Sequence, residues 1–524
     1  MGLAAEKDGN TLATTRRQFL AFTAGAAGLG LAGLAGYEWP KSNEGKAGAS
    51  PTTTSAPPTP TTEYDANQAM FFYSRPDLHP PRVTVVRRPS QPFVPGQDEG
   101  LLLLTPKAYA GPGAGQAGLM VRQADGKLRW FQPTDKAAFD LQYQDLNGKP
   151  VLTWWEGTVT NGTGAGEAVI ADLSFNELAR IGAVDGLAPD LHELVLTDKG
   201  TALMTAYHPV AADLSNVGGP KDGYLLGAVA LEVDVASKKV LQRWESVDHV
   251  KVDETYQALT KGQGTEKVPF DYFHINSVSL TPDGELLISA RNTWTLYKVN
   301  RTNGHVIWRL NGKKSDFELS SGSRFYWQHH SRYHSATIMS LFDDGASPAE
   351  EAQSRAIILS VDETRMKVTL EKSFVHPARL LAPNQGSVQL MEDGGAFVGW
   401  GARPYFSRFS ADGDLVLDAR FPTNIQSYRA FSAAFAGQPT DRPAVAIEDD
   451  PVGGKIVYVS WNGSTEVAAW EVHAGPAGQM TPVALGDWAD FETAISVNSS
   501  GPHFQVMALD RSGKQIGSSE VLTA

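Results

Sequence analysis

Cysteine is absent from all 524 residues. The chain therefore holds no disulfide, no thiolate nucleophile and no lipid-bearing cysteine anchor, and its stability rests on packing alone. Basic clusters are absent too. With 45 Lys and Arg against 58 Asp and Glu, the formal charge is −13, which argues against nucleic acid as a partner, because neutralising a phosphate backbone needs grouped cations. There is no Gly-x-x-x-x-Gly-Lys-Ser/Thr run to cradle a nucleotide's phosphates and no Gly-x-Ser-x-Gly elbow. His192-Glu193 lacks the second His of a zinc-protease helix. His330 and His334 would chelate at their spacing only on a helix, whereas their surroundings read as strand and loop, so no metal is expected. Nothing calls for a cofactor.

What is present begins with Thr14-Thr15-Arg16-Arg17-Gln18-Phe19-Leu20, a twin-arginine export signal, followed by an uncharged Ala/Gly/Leu stretch from Phe19 to Gly36. That stretch is short and Gly-rich for a permanent membrane span. Ala47-Gly48-Ala49 is one cleavage site, and an uncleaved membrane tether stays open. Residues 1–40 are read as the signal segment and 41–63, rich in Pro, Thr and Ser, as a linker unable to bury enough apolar surface to fold. The expected location is outside the cytoplasm (secreted, in the cell wall or membrane-associated), with the twin-arginine translocase as the partner in export.

The rest reads as all-β. Short Val/Ile/Leu/Tyr/Trp runs are separated by Asp-Gly and Asn-Gly turns, without a long stretch of helical period. A loose unit of about four strands recurs, clearest at Phe273–Leu310, again from Leu191 to Trp244 and from Asn384 to Phe421, and more weakly over 101–137, 138–184 and 326–375. Six such units over 64–438 predict a six-bladed β-propeller; two packed sandwiches are the alternative. Residues 439–524 read as a small C-terminal sandwich-like β module, with Asn462-Gly463 as a hairpin turn.

The chemistry concentrates between Asp271 and Tyr333. His274 lies 10 residues before the turn glycine Gly284, and His192 lies 8 before Gly200. This matched placement puts both on channel-facing strands of neighbouring blades. Asn276, two residues on, projects to the side of His274 and is expected to position it. Arg291 ends the next strand, and its planar fork suits a tetrahedral oxyanion. Trp327-Gln328-His329-His330 opens the following unit, where a neutral imidazole is a competent nucleophile. Structural roles for these side chains remain open at this level.

The strings HINSVSLTPDGELLISAR, WQHHSRY, DLHELVLTDKGTALMTAY, SYRAF and VSWNGSTEVAAW resemble the nucleotide-independent bacterial arylsulfotransferases, most closely their exported actinobacterial branch. The resemblance implies a six-bladed propeller in which a histidine takes the sulfuryl group from a phenolic sulfate donor and passes it to a phenolic acceptor. By motif, His329 is the nucleophile, His274 with Asn276 the His-x-Asn pair, Arg291 the sulfate-binding arginine and His192 a further active-site histidine. His330 departs from the family pattern, which leaves it as a substrate-binding residue or a rival nucleophile. A binding propeller without catalysis and an aryl sulfatase are the alternatives.

Overall fold

The clearest of the expected turns closes a hairpin. Pro282-Asp283-Gly284 joins Ile275–Leu280 to Leu286–Ala290, with Gly284 in the left-handed region (φ +84) and its N–H donating to Thr281 O at 2.9 Å. Thr295–Val299 and Val306–Leu310 then complete a four-stranded antiparallel sheet in chain order. The computed structural model describes residues 68–87, 100–111, 113–499 and 501–524. The twin-arginine segment and the linker read over 1–63 lie outside the described residues.

The fold is all-β, with one four-residue helix, Ser246–His249, and two short 3-10 turns among the described residues. Between Thr84 and Ala433 six sheets hold four or more strands each. Three follow chain order throughout. Two add a fifth strand out of order (Thr84–Arg87 beside Leu415–Arg420, and Glu318–Leu319 parallel to Lys367–Phe374), and one draws its last strand from far along the chain. Strands Leu101–Leu104, Gly118–Arg122 and Leu128–Pro133 take their fourth strand from Ala430–Ala433, with Leu101 opposite Ala433 and Leu104 opposite Ala430. Six strands, one per sheet, touch in a ring: Ala137–Leu146, Pro189–Leu196, Ile275–Leu280, His329–Tyr333, Ser387–Leu390 and Ala430–Ala433, the last meeting the first again. Apolar residues fill the spaces between successive sheets; one such cluster gathers Trp244, Phe273, Ile288 and Tyr297, and another Trp308, Phe325, Leu341 and Ile357. Burying these aliphatic and aromatic side chains contributes about 1.5–3 kcal/mol apiece, the main stabilising term in a chain without cross-links.

Strands from Ala444 onward form two further sheets around Val457, Trp470, Val472, Phe504 and Val506. Here Asn462-Gly463 is not the hairpin turn its sequence suggests. Lys455–Ser460 pairs with Glu492–Val497, and Ala469–Gly475 lies in the other sheet. The Asn462 amide instead brackets Phe131, accepting from its N–H and donating to its O at 2.9 Å each, and the Gly463 N–H reaches Arg129 O. The dipeptide was worth more as a backbone mimic against a neighbouring sheet than as a turn between paired strands.

Candidate functional site

Four of the six ring strands break register where their polar residues sit. The shifts fall between Phe139 and Gln142, Pro189 and Leu194, Ile275 and Ser277, and His329 and Arg332. Such bulges re-aim side chains that strict alternation would send to either face. Non-glycine residues at positive φ lie in or beside three of these breaks, Asp140 (+62), His274 (+55), Trp327 (+58) and His330 (+52), and Gln385 (+70) precedes the ring strand Ser387–Leu390. Left-handed backbone at non-glycine positions costs about 1 kcal/mol or more each and gathers where function demands it.

His192 and His274 come together as their matched positions predict, with ring centroids 4.9 Å apart at 83°. Each imidazole is held through Nδ1 by an aspartate from just upstream. Asp271 lies 2.5 Å from His274 Nδ1, and Asp190 grips His192 Nδ1 while also accepting the His192 N–H. Tyr207 and Tyr428 pack on His192, with centroids at 6.2 and 5.7 Å. Burial pushes the His192 pKa down, partly offset by Asp190.

His329 forms the third such pair, its Nδ1 lying 2.6 Å from Asp344 Oδ2. On the other side of its ring, the Gln385 N–H donates to Nε2 at 3.3 Å. An N–H donor at Nε2 requires a lone pair there, so the neutral ring carries its proton on Nδ1 and donates it to Asp344. Burial, and then the nearby Arg291 cation, hold the His329 pKa well below the usual histidine value. Burial raises that of Asp344 well above the usual carboxylate value, against the pull of Arg291.

Arg291 directly follows the strand Leu286–Ala290, and its N–H is anchored on His274 O at 2.9 Å. The guanidinium lies 4.7 Å over the Trp327 ring and donates to Asn292 Oδ1 and Pro383 O at 3.1 Å each, while Nε has no protein partner. Buried side-chain atoms without protein partners among the described residues include Asp271 Oδ1 and Asp344 Oδ1, whose carboxylates act on the Arg291 charge, and Asn384 Oδ1 and Gln385 Oε1, which directly follow Pro383.

Two further site candidates, Asn276 and His330, bond to backbone of neighbouring segments. Asn276 does not position His274, which Asp271 holds; its amide instead donates to Gln328 O at 2.6 Å and fixes the peptide before His329. The bulge at Ile275–Ser277 is the reason, because it turns Asn276 towards the next strand. His330 accepts from the Val388 N–H at Nδ1 and packs 5.4 Å from Phe431, apart from the His192–His274 pair. Beneath the cluster, Arg429 donates to Asp140 at 3.1 Å and to Glu193 at 2.8 Å, and Arg332 donates to Glu193 at 2.7 Å. Burial outweighs Arg429 at Asp140 and lifts that carboxyl to about 6.

Sequence reading missed the three aspartates, Gln385 and the Arg429 network. Asp190 and Asp271 carried a signal, standing two and three residues before a site histidine. Asp344 carried none, since the hairpin that ends in it had first to be registered. No group of three or more His, Asp or Glu able to hold a metal occurs among the described residues.

A family model described as arylsulfotransferase (ASST) matches residues 142–422, which takes in His192, His274, Arg291 and His329. No curated protein matches the chain. Solved structures with some likeness include a protein of unknown function from Bacteroides caccae, 12% identical over 63% of this chain and 98% of that one, with a TM-score of 0.37. A protein from Lactobacillus plantarum is 16% identical over 76% and 100%, with a TM-score of 0.33. The Dos1 propeller is 11% identical over 83% and 95%, with a TM-score of 0.30.

Proposed function

This chain belongs to the arylsulfotransferase family, and on that premise we propose that it moves a sulfuryl group from a phenolic sulfate ester to a phenolic acceptor through a sulfo-histidine at His329. One observation carries the reading: His329 has its Nδ1 on Asp344 and an accepting lone pair on Nε2, in range of the Arg291 charge.

In the first half-reaction His329 Nε2 attacks sulfur. The S–N bond forms as the S–O bond to the aryl oxygen breaks, and the phenolate leaves with that electron pair. Like phosphoryl transfer, the step passes through a loose transition state with charge on the equatorial and leaving oxygens. Arg291 holds the former. His274, its Nδ1 held on Asp271, serves as the acid that gives a proton to the leaving oxygen. Asp344 balances the cationic sulfo-imidazole. In the second half the acceptor phenol returns a proton to His274 as its oxygen attacks sulfur, the S–N bond breaks, and His329 regains its lone pair. No proton or electron is left over, and no nucleotide or other cofactor is needed.

The same reading takes 64–438 as a six-bladed propeller, supported by the ring of six contacting strands. It takes 439–524 as a docked β module of the exported, actinobacterial-type branch. Residues 1–40 direct the chain to the twin-arginine translocase, and 41–63 space or tether it outside the cytoplasm.

Purified protein incubated with p-nitrophenyl sulfate, with and without phenol, tests the chemistry. The expected result is phenol-dependent nitrophenol release and an enzyme mass increase mapping to His329, present in His330→Ala and absent in His329→Ala. An adduct forming in His329→Ala at the wild-type rate sinks the covalent scheme. Release that ignores phenol makes the protein a sulfatase, and neither release nor adduct makes it a binding protein.

A further inference from the structure

Strands Lys149–Thr160 and Thr163–Ala171 pair in unbroken register out to Thr160 opposite Thr163. The two residues between them, Asn161 and Gly162, both have positive φ (+51 and +87), the type I′ turn that Asn-Gly suits. Trp155 Nε1 on Pro189 O at 2.8 Å and the Gly164 N–H on Asp190 at 2.5 Å tie this hairpin to the strand of His192. Its tip reaches the neighbouring histidine. A Cβ built on Gly162 would lie 3.8 Å from His274 Cε1, and apart from chain neighbours no other described atom comes within 4 Å of that point. The ring therefore has an open space at its Cε1 edge, kept by a missing side chain.

His274 is walled on other sides. Asp271 holds Nδ1, His192 stands edge-on at 4.9 Å, and Tyr207 lies 6.3 Å away at 45°. Nε2 has no protein partner among the described residues, and 13% of the side chain is exposed. An aryl oxygen that meets Nε2 brings its ortho carbons towards Cε1, the ring atom bonded to Nε2. A group on an ortho carbon is then the first to enter the open space. The turn alone does not account for this placement. Asn147-Gly148 joins Ala137–Leu146 to the opposite end of Lys149–Thr160 with positive φ at both residues (+55 and +79), and a Cβ on Gly148 would meet nothing within 4 Å. The two glycines share a backbone geometry, and of the two only Gly162 stands beside a site histidine.

We propose that Gly162 keeps open a space for an ortho substituent on the aryl substrate, and so admits phenols substituted next to the reacting oxygen. This rests on the arylsulfotransferase reading for the group that meets His274.

Transfer from p-nitrophenyl sulfate to 2-methylphenol and to 4-methylphenol, whose hydroxyls have nearly the same acidity, tests it in wild type, Gly162→Ala and Gly148→Ala. Calorimetric titration of the same two phenols, without donor, is the second readout. Wild type is expected to take the two isomers comparably. Gly162→Ala should lower the ortho-to-para ratio in kcat/KM by about tenfold or more, the discrimination one methyl group gives in a fitted pocket. Gly148→Ala carries the same turn strain and should leave the ratio at its wild-type value. Gly162→Asn, whose side chain tolerates a left-handed backbone, guards against a turn that Ala disturbs and should lower the ratio at least as far. An unchanged ratio in both Gly162 variants, an equal fall in Gly148→Ala, or a wild type that already refuses the ortho isomer overturns the proposal. Transfer to both isomers at an unaltered ratio keeps the enzyme reading and removes the ortho space. Where wild type transfers to neither isomer, the enzyme reading falls, and the ortho-to-para binding ratio decides the space by the same comparison, binding of neither overturning it.

Discussion

At the scale of single residues, three imidazoles are each held by an aspartate at Nδ1, and the tautomer of His329 follows from the Gln385 N–H at its second nitrogen. Asp344→Asn offers an amide where Nδ1–H needs an anion. On the proposed cycle it removes the charge that would balance a sulfo-imidazole and permits the wrong tautomer, and the expected loss in adduct formation is about 10²–10⁴-fold. Stopped-flow release from p-nitrophenyl sulfate, with KM followed separately, checks that the loss falls on the chemical step. Arg291→Ala is expected to cost about 10²–10³-fold in the same assay, the size of a missing oxyanion donor. The pH dependence has a definite sign. A histidine held well below its usual value by burial and Arg291 becomes protonated only as pH falls below that depressed value, so Nε2 stays nucleophilic through pH 6.5. Single-turnover adduct formation should therefore not fall as pH is lowered through 6.5, the usual histidine value, and a loss centred at or above 6.5 contradicts the assignment. The nearness of His192 to His274 was legible because their spacing to the turn glycines survives in sequence. The roles of Asn276 and His330 were not, because bulges at Ile275–Ser277 and His329–Arg332 undo the alternation from which side-chain direction is read.

At the scale of elements, the hairpin Lys149–Thr160 with Thr163–Ala171 supports the cluster from the side. Its tip glycine, Gly162, lies over His274, where an added Cβ would come within 3.8 Å of the ring. The Gly164 N–H donates to Asp190 at 2.5 Å, and Trp155 Nε1 donates to Pro189 O at 2.8 Å. Gly157, Gly164 and Gly166 leave room for the Trp155 ring, each with a Cβ position 2.6 Å from it. Gly166→Ala would also press on Glu156 O at 2.1 Å, so the hairpin must shift. Expected are a loss of about 1–3 kcal/mol in denaturant stability and reduced turnover, because Asp190 and then His192 lose their anchor. Unaltered turnover in a destabilised variant would separate the hairpin from the site. The strand content was readable from alternation and Asx-Gly turns. The glycine seat was not, since it exists only once Trp155 folds back over its own sheet.

For the molecule as a whole, the ring strands converge on a buried charge group in which Arg429 bridges Asp140 and Glu193. Arg429→Met leaves two buried carboxylates facing each other and should cost about 3–5 kcal/mol, the usual penalty for halving a buried pair. Urea unfolding followed by tryptophan fluorescence measures it, and a midpoint matching wild type would mean that water reaches the pair. The all-β architecture followed from composition and repeats, but the origin of the sheet completed by Ala430–Ala433 did not, because nothing local marks a strand whose partner lies at the far end of the chain. That pairing also sets a timetable. Tyr428 and Arg429, which touch His192 and Glu193, immediately precede the strand that closes onto Leu101–Leu104. A growing chain therefore has its histidines long before it has the ground they stand on. Slow, long-range closure of this kind comes late in assembly, so a chain cut short of Ala433 lacks the support beneath His192 and Glu193.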